Sequence, residues 1–214
     1  MQSLPAIKPR LRGVLHQWAF FVAVVAGAVL VLVAPPGRAT LATAIYAVTV
    51  AGLFGVSATY HRVDWVSTTA RRWMRRLDHS MIFLLIAGTY TPFALLALHG
   101  GLATAILIVV WSGAFAGIVL NLVWIDAPKW LTAVVYVALG WVAIVAFPSL
   151  FDQLGVIATL LVGLGGILYT LGAVVYATRK PDPAPAVFGY HEIFHALVIA
   201  AAAVQYTVIA FYVV

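Results

Sequence analysis

The chain has 214 residues, of which 64% are hydrophobic and only 8% carry a formal charge. About a quarter of the residues in an average soluble domain are charged, so this chain lacks the polar exterior that an ordinary soluble enzyme needs. The composition also excludes a disordered chain and a collagen-like repeat. The absence of cysteine excludes disulfides, thiolate metal ligands and a cysteine nucleophile. The sequence therefore predicts one membrane domain over residues 1–214.

The net charge of +6 and the isoelectric point near 9.8 do not indicate a nucleic-acid partner. The basic residues lie in short clusters between apolar runs. This pattern is typical of membrane topology rather than of a surface that binds nucleic acid. We therefore expect membrane lipid, and no nucleic acid, as the partner.

Seven apolar stretches, each near the length of about 20 residues that crosses a bilayer, follow one another along the chain. As one helix, the uncharged run over residues 80–125 would be about 69 Å long, so we divide it at residues 99–101. No small-residue cleavage site clearly follows the first span, and we expect this span to be retained. The predicted spans cover residues 15–34, 40–61, 78–98, 102–124, 130–148, 153–177 and 190–212.

The basic residues set the expected orientation of these spans. Every Lys and Arg except Arg38 falls on alternate loops, and the positive-inside rule places those loops in the cytoplasm. With seven spans, the N-terminus is then cytoplasmic and the C-terminus lies outside. The predicted fold is an all-α, seven-transmembrane helix bundle in the cell membrane.

Ionisable residues at membrane depth are costly to bury and therefore indicate functional sites. His61 ends the second predicted span, Asp78 begins the third, and His191 and His195 begin the seventh. In the predicted topology all four lie at one depth on the cytoplasmic side.

His191 and His195 are spaced so that their rings stack on one helix face. Two histidines at this spacing suit a single metal ion, and His61 would supply a third ligand if its helix is a neighbour. Three histidines and one water form an open zinc site, in which zinc acidifies the water into a nucleophile. The alternative interpretation is that these histidines anchor helix ends at the membrane interface.

Asp78 and Ser57 each have two interpretations from the sequence. Asp78 either pairs with Arg75 or Arg76 at the interface, or faces inward to orient a water or act as general base. Ser57, one turn deeper than His61, either bonds a carbonyl of its own helix or lines a cavity.

The remaining polar residues predict no site of their own. His16 and Glu192 are expected at the interface, and His79 as an interfacial or packing residue. Glu192 is also a weaker candidate for general base, because it lies about 100° from the helix face of His191. His99 is expected at the outer surface. Residues 89–92, which end in Pro92, predict a helix kink.

Four of these segments together resemble the hemolysin III family, which belongs with the progestin and adipoQ receptors. The pattern of Ser-x3-His, Asp and His-x3-His is also shared with alkaline ceramidases. The resemblance covers nearly the whole chain. The matching segments are SATYH at 57–61, RRLDHS at 75–80, AGTYTPF at 87–93 and HEIFH at 191–195.

This resemblance implies a seven-helix bundle in which His61, His191 and His195 hold zinc. It also implies that Asp78 holds the zinc-bound water and that Ser57 lies beside the ligands. The implied activity is ceramidase-type hydrolysis of a lipid amide. Together with the predicted depth of the ligands, we expect a zinc-dependent hydrolase that acts on a lipid amide or ester at the cytoplasmic leaflet. Two alternatives stay open: a non-enzymatic protein of membrane homeostasis with a structural zinc, and a cytolytic protein of the hemolysin type.

Overall fold

We describe a computed structural model of the chain, which covers residues 8–214. Three short helical segments with altered winding, Phe93–Ala97, Trp141–Ala146 and Ile209–Val213, continue the third, fifth and seventh helices. The α-helices are α1 Val14–Val33, α2 Arg38–Arg62, α3 Thr68–Pro92, α4 Gly100–Val123, α5 Lys129–Gly140, α6 Phe147–Thr178 and α7 Tyr190–Val208.

Six continuous helical stretches in the described residues are long and apolar enough to cross a membrane. One of them, Lys129–Thr178, has 50 residues and would be about 75 Å long if straight. It folds back on itself instead. Gly155 leaves the helical conformation with a φ of 80°, and the indole nitrogen of Trp141 donates to Thr170 Oγ1 at 2.9 Å. The expectation of an all-helical membrane bundle is confirmed.

Large apolar side chains face outward on several helices. Leu32 on α1 is 84% exposed and Val123 on α4 is 80% exposed. A water-soluble monomer rarely exposes such contiguous apolar surface, whereas a bilayer solvates it. These outward faces therefore mark the surface that contacts lipid.

α3 begins earlier than the sequence predicted, at Thr68 rather than at residue 78. Ser67 caps the helix, since its hydroxyl oxygen accepts a hydrogen bond from the amide of Ala70 at 3.2 Å. Apolar length marks only the part of a helix that lies in hydrocarbon. The first turns of α3 are polar and extend beyond that part.

Residues 89–92 are the segment for which a kink was predicted; there α3 runs through Pro92 into the π-helical segment Phe93–Ala97. The hydroxyl of Tyr90 ties this region to the end of α5. It donates to Gly140 O at 2.5 Å and accepts from Ala143 N at 2.6 Å. The Tyr90 hydroxyl therefore joins the two segments of altered winding, the one after Pro92 and the one after Gly140.

The segment before α1 packs against the end of the bundle where the basic residues cluster, which we call the basic end. The backbone amides of Arg10 and Leu11 donate to carbonyls of the loop before α7 at 3.0 and 3.1 Å. Gly13 has a φ of 78°, and a Cβ there would lie 2.7 Å from His61 Cβ. Only glycine meets both conditions without strain.

Glu192 was expected at the membrane interface, and it is fully buried instead. Its Oε2 accepts a hydrogen bond from Gly189 N at 2.9 Å, and its Oε1 lies 2.8 Å from Arg12 Nε. A buried carboxylate requires such partners. Glu192 therefore links the segment before α1 to the first turn of α7.

Candidate metal centre and adjoining cavity

Three histidines from two helices converge near the basic end. His61 lies in the last turn of α2, and His191 and His195 lie in the first turns of α7. One ring nitrogen from each lies within 4.8 Å of the others, and the Nε2 atoms of His61 and His191 are 3.1 Å apart. The fold thus brings together the three residues that the sequence suggested as ligands.

This donor set fits a metal ion. In a tetrahedral site with zinc–nitrogen bonds of about 2.0–2.1 Å, two ligand nitrogens lie about 3.3 Å apart, which is close to the His61–His191 separation. Nδ1 of His195 is buried and has no hydrogen-bond partner among residues 8–214. The three histidines are therefore close enough together to hold a metal ion.

Asp78 lies beside the three histidines rather than among them. Its Oδ2 atom is 3.9 Å from His61 Nε2, a distance that one bridging water would span. The two arginines considered as its partners are engaged elsewhere. Arg75 donates to Asp126 Oδ1 at 2.9 Å, and Arg76 donates to a backbone carbonyl of α4. Of its two interpretations, the structure favours the inward-facing carboxylate.

His79 turns away from the three histidines. Its Nδ1 lies 2.9 Å from the carbonyl oxygen of Arg75, and its Nε2 lies 3.2 Å from the Tyr176 hydroxyl. The ring therefore packs α3 against α6.

His16 was expected at the membrane interface, and the structure buries it within the site instead. It is 2% exposed, and its ring stacks on that of His195 with centroids 3.7 Å apart and planes 10° apart. Its Nδ1 lies 2.8 Å from Ser57 Oγ. A single histidine before an apolar run has no spacing signal. The signal that could have indicated it is its depth, which in the predicted topology is the same as that of the other three histidines.

An apolar cavity of about 150 Å³ adjoins the histidines. Ser57, Asp78 and His195 line one end of it, and Gln205 lines it farther along α7. Most of the wall between them is apolar and comes from α3, α5, α6 and α7. A ligand with a polar head and an apolar chain fits this distribution, with its head at the histidines.

This geometry defines a class of protein, namely helical membrane bundles with a buried histidine cluster beside an apolar cavity. Comparison with known proteins gives the family. The family described as "Haemolysin-III related" matches residues 5–206. The chain belongs to this family and is a multi-pass membrane protein.

Relatives of this chain occur in bacteria and in mammals. It is 33% identical over 175 residues to "Hemolysin-3" of Bacillus cereus, covering 82% of this chain and 76% of that protein. It is 38% identical over 136 residues to "Hemolysin-3 homolog" of Bacillus subtilis (strain 168), covering 64% of this chain and 61% of that protein. A more distant relative, 27% identical over 165 residues, is "Monocyte to macrophage differentiation factor" of Homo sapiens, covering 76% and 66% of the two chains.

We expect His191→Ala to lose bound metal, because two histidines alone form a weak site. The wild-type protein, purified in detergent without chelator, should hold about one divalent metal ion per chain, measured by mass spectrometry. His99→Ala is the matched control, since His99 is exposed at the opposite end of the bundle. Wild-type protein without stoichiometric metal, or equal metal in both variants, would contradict the site.

We expect His16→Ala to bind this metal about 10-fold more weakly, because residues that orient a ligand typically contribute at least that factor to metal affinity. His16→Phe keeps a ring stacked on His195 and should retain most of the affinity. Titration against a chelating dye measures both constants. An unchanged constant in His16→Ala would show that the stacked ring does not position His195.

Proposed function

We propose that this protein is a zinc-dependent intramembrane hydrolase, which cleaves a lipid amide or ester at the cytoplasmic leaflet. The observation that carries the proposal is the position of the histidine cluster. It lies at the end of an apolar cavity, with the Asp78 carboxylate 3.9 Å from His61. Hydrolysis of a lipid needs this combination of an activated water and an apolar site for the chain.

In this proposal His61, His191 and His195 hold the zinc ion. Bound zinc supplies a Lewis acid that polarises the scissile carbonyl and makes a water more acidic. Asp78 takes a proton from the attacking water as oxygen adds to the carbonyl carbon. The carbon–nitrogen or carbon–oxygen bond then breaks, and Asp78 returns the proton to the leaving amine or alcohol.

Ser57 and the cavity wall have supporting roles in this mechanism. Ser57 Oγ lies beside the cavity and is held by His16 Nδ1 at 2.8 Å, so it can hydrogen-bond the substrate head or the water. The apolar wall binds the lipid chain and limits bulk water to the basic end. Excluding water strengthens each electrostatic contact at the site.

The proposed location rests on a topology of seven crossings with a cytoplasmic N-terminus. The long stretch Lys129–Thr178 folds back at Gly155, which supports two crossings within it. The histidine cluster lies at the basic end, and the positive-inside rule places that end in the cytoplasm.

We expect Asp78→Asn to reduce lipid hydrolysis at least about 100-fold, because general base catalysis typically contributes about 10²–10⁴. Purified protein in lipid micelles would be assayed with a fluorescent ceramide and with an ester of the same acyl chain. Asp126→Asn is the control, since this carboxylate lies at the same end and binds Arg75.

Metal content is measured on the same samples. Turnover that persists in zinc-loaded Asp78→Asn would exclude Asp78 as the base. If wild-type protein holds zinc and hydrolyses neither lipid, the structural alternative, in which the ion ties α2 to α7, replaces the hydrolase.

Single cysteines test the topology, because the natural sequence contains none. We expect a membrane-impermeant maleimide to label Gln153→Cys in whole cells and Lys180→Cys only after lysis. If residues 129–178 crossed once, Gln153 would lie at mid-membrane and stay unlabelled in both samples. The reverse labelling pattern would invert the orientation.

A further inference from the structure

Apart from the histidines, two polar groups on the cavity wall have no hydrogen-bond partner among residues 8–214. Gln205 on α7 is 6% exposed, and its Oε1 atom has no hydrogen-bond partner in residues 8–214. The hydroxyl of Tyr169 on α6 is likewise buried and unpaired in the described part of the chain. Both residues line the cavity beside the histidines. Buried polar atoms are normally paired, so an unpaired set at a cavity indicates a ligand.

The threonines on the same wall do not share this property. Thr89 Oγ1 donates to Leu85 O at 2.8 Å, and Thr170 Oγ1 donates to Gly166 O at 2.8 Å. Threonines in membrane helices commonly satisfy themselves in this way. Of the unpaired atoms that line the cavity in the described residues, those of His16 and His195 belong to the histidine cluster, and those of Tyr169 and Gln205 lie apart from it on the wall.

The position of the Gln205 amide is built into the fold. Its Nε2 donates to Val162 O at 3.2 Å, which assigns the amide orientation, because a carbonyl can only accept. The amide lies against Gly165, where a methyl group would overlap it. Oε1 carries no hydrogen, so it can only accept a hydrogen bond. The ligand group at this position must therefore be a donor.

We propose that the far end of the cavity is a second polar subsite, which binds a hydroxyl group carried on the apolar chain of the lipid. The ligand hydroxyl donates to Gln205 Oε1 and accepts from the Tyr169 hydroxyl. Along α7, Gln205 lies about 15 Å from His195 at a rise of about 1.5 Å per residue. The preferred lipid chain is therefore one hydroxylated at roughly that distance from its head group.

This subsite deepens the proposed function, since it specifies the lipid, but it rests on lipid binding in the cavity and not on the reaction. Binding can therefore be tested without turnover. The probes are two fatty acids of equal chain length, one unsubstituted and one with a hydroxyl about 15 Å from the carboxylate. Each competes with a fluorescent fatty acid for the purified full-length protein in detergent.

We expect the wild-type protein to bind the hydroxylated probe about 10-fold more tightly, which corresponds to about 1.4 kcal/mol. Gln205→Leu leaves only the hydrogen bond from Tyr169 and should reduce this preference to about 3-fold, while still binding the unsubstituted acid. Tyr169→Phe removes a single oxygen and should reduce the preference to about 3-fold, since one of two hydrogen bonds remains. Thr89→Val is the matched control on the same wall and should keep the full preference.

Equal binding of both probes by wild-type protein overturns the subsite, and the unpaired atoms then bind water only. The subsite is also overturned if Thr89→Val loses the preference for the hydroxylated probe. These results differ from a failure of the proposed function. If neither acid binds, the cavity does not hold a lipid chain, and both the subsite and the proposed hydrolase are contradicted. If the preference holds but no lipid is hydrolysed, the subsite stands and the hydrolase does not.

Discussion

The bilayer provides no hydrogen-bond partners to the groups that it surrounds, and the rest of this structure follows from that constraint. Most polar side chains in the helices satisfy themselves or pair across the bundle. Thr89 bonds its own helix, and Tyr90 bonds Gly140 and Ala143 where α5 loses its regular winding. Four of the side chains left with an unpaired polar atom in the described residues, His16, Tyr169, His195 and Gln205, lie around one cavity. Their location follows from the geometry of the fold, and it separates the candidate site from the rest of the bundle.

The geometry of the histidine cluster depends on the short segment before α1. Gly13 lets that segment approach His61 closely, and Arg12 reaches the buried Glu192. Glu192 follows His191 in sequence, so the same ion pair fixes the turn of α7 that presents His191. α1 then begins with His16 stacked on His195. The N-terminal segment therefore positions both helices that carry the three histidines.

The sequence predicted the helical membrane bundle, and it singled out His61, His191 and His195. Depth in the membrane and helical spacing are local properties that can be read from the order of residues along the chain. The prediction that His16 and Glu192 lie at the interface was wrong for the same reason in both cases. Their burial depends on partners far away in the chain, Ser57 and Arg12, and no local pattern encodes a pairing over that separation. The early start of α3 was missed because polar turns outside hydrocarbon carry no apolar signal.

The distribution of polarity along the cavity bears on how a lipid would be held for hydrolysis. The wall between the histidines and Gln205 is mostly apolar, and an apolar wall binds a chain without fixing its position lengthwise, because hydrophobic contact is not directional. Hydrogen bonds at two separated points remove that freedom. In the proposed function, a hydroxyl held at Gln205 would set how far the chain enters, and hence where its carbonyl lies relative to Asp78. Reaction rates fall steeply when the reacting atoms are misplaced by about an ångström, so the far end of the cavity would govern the chemistry at the near end.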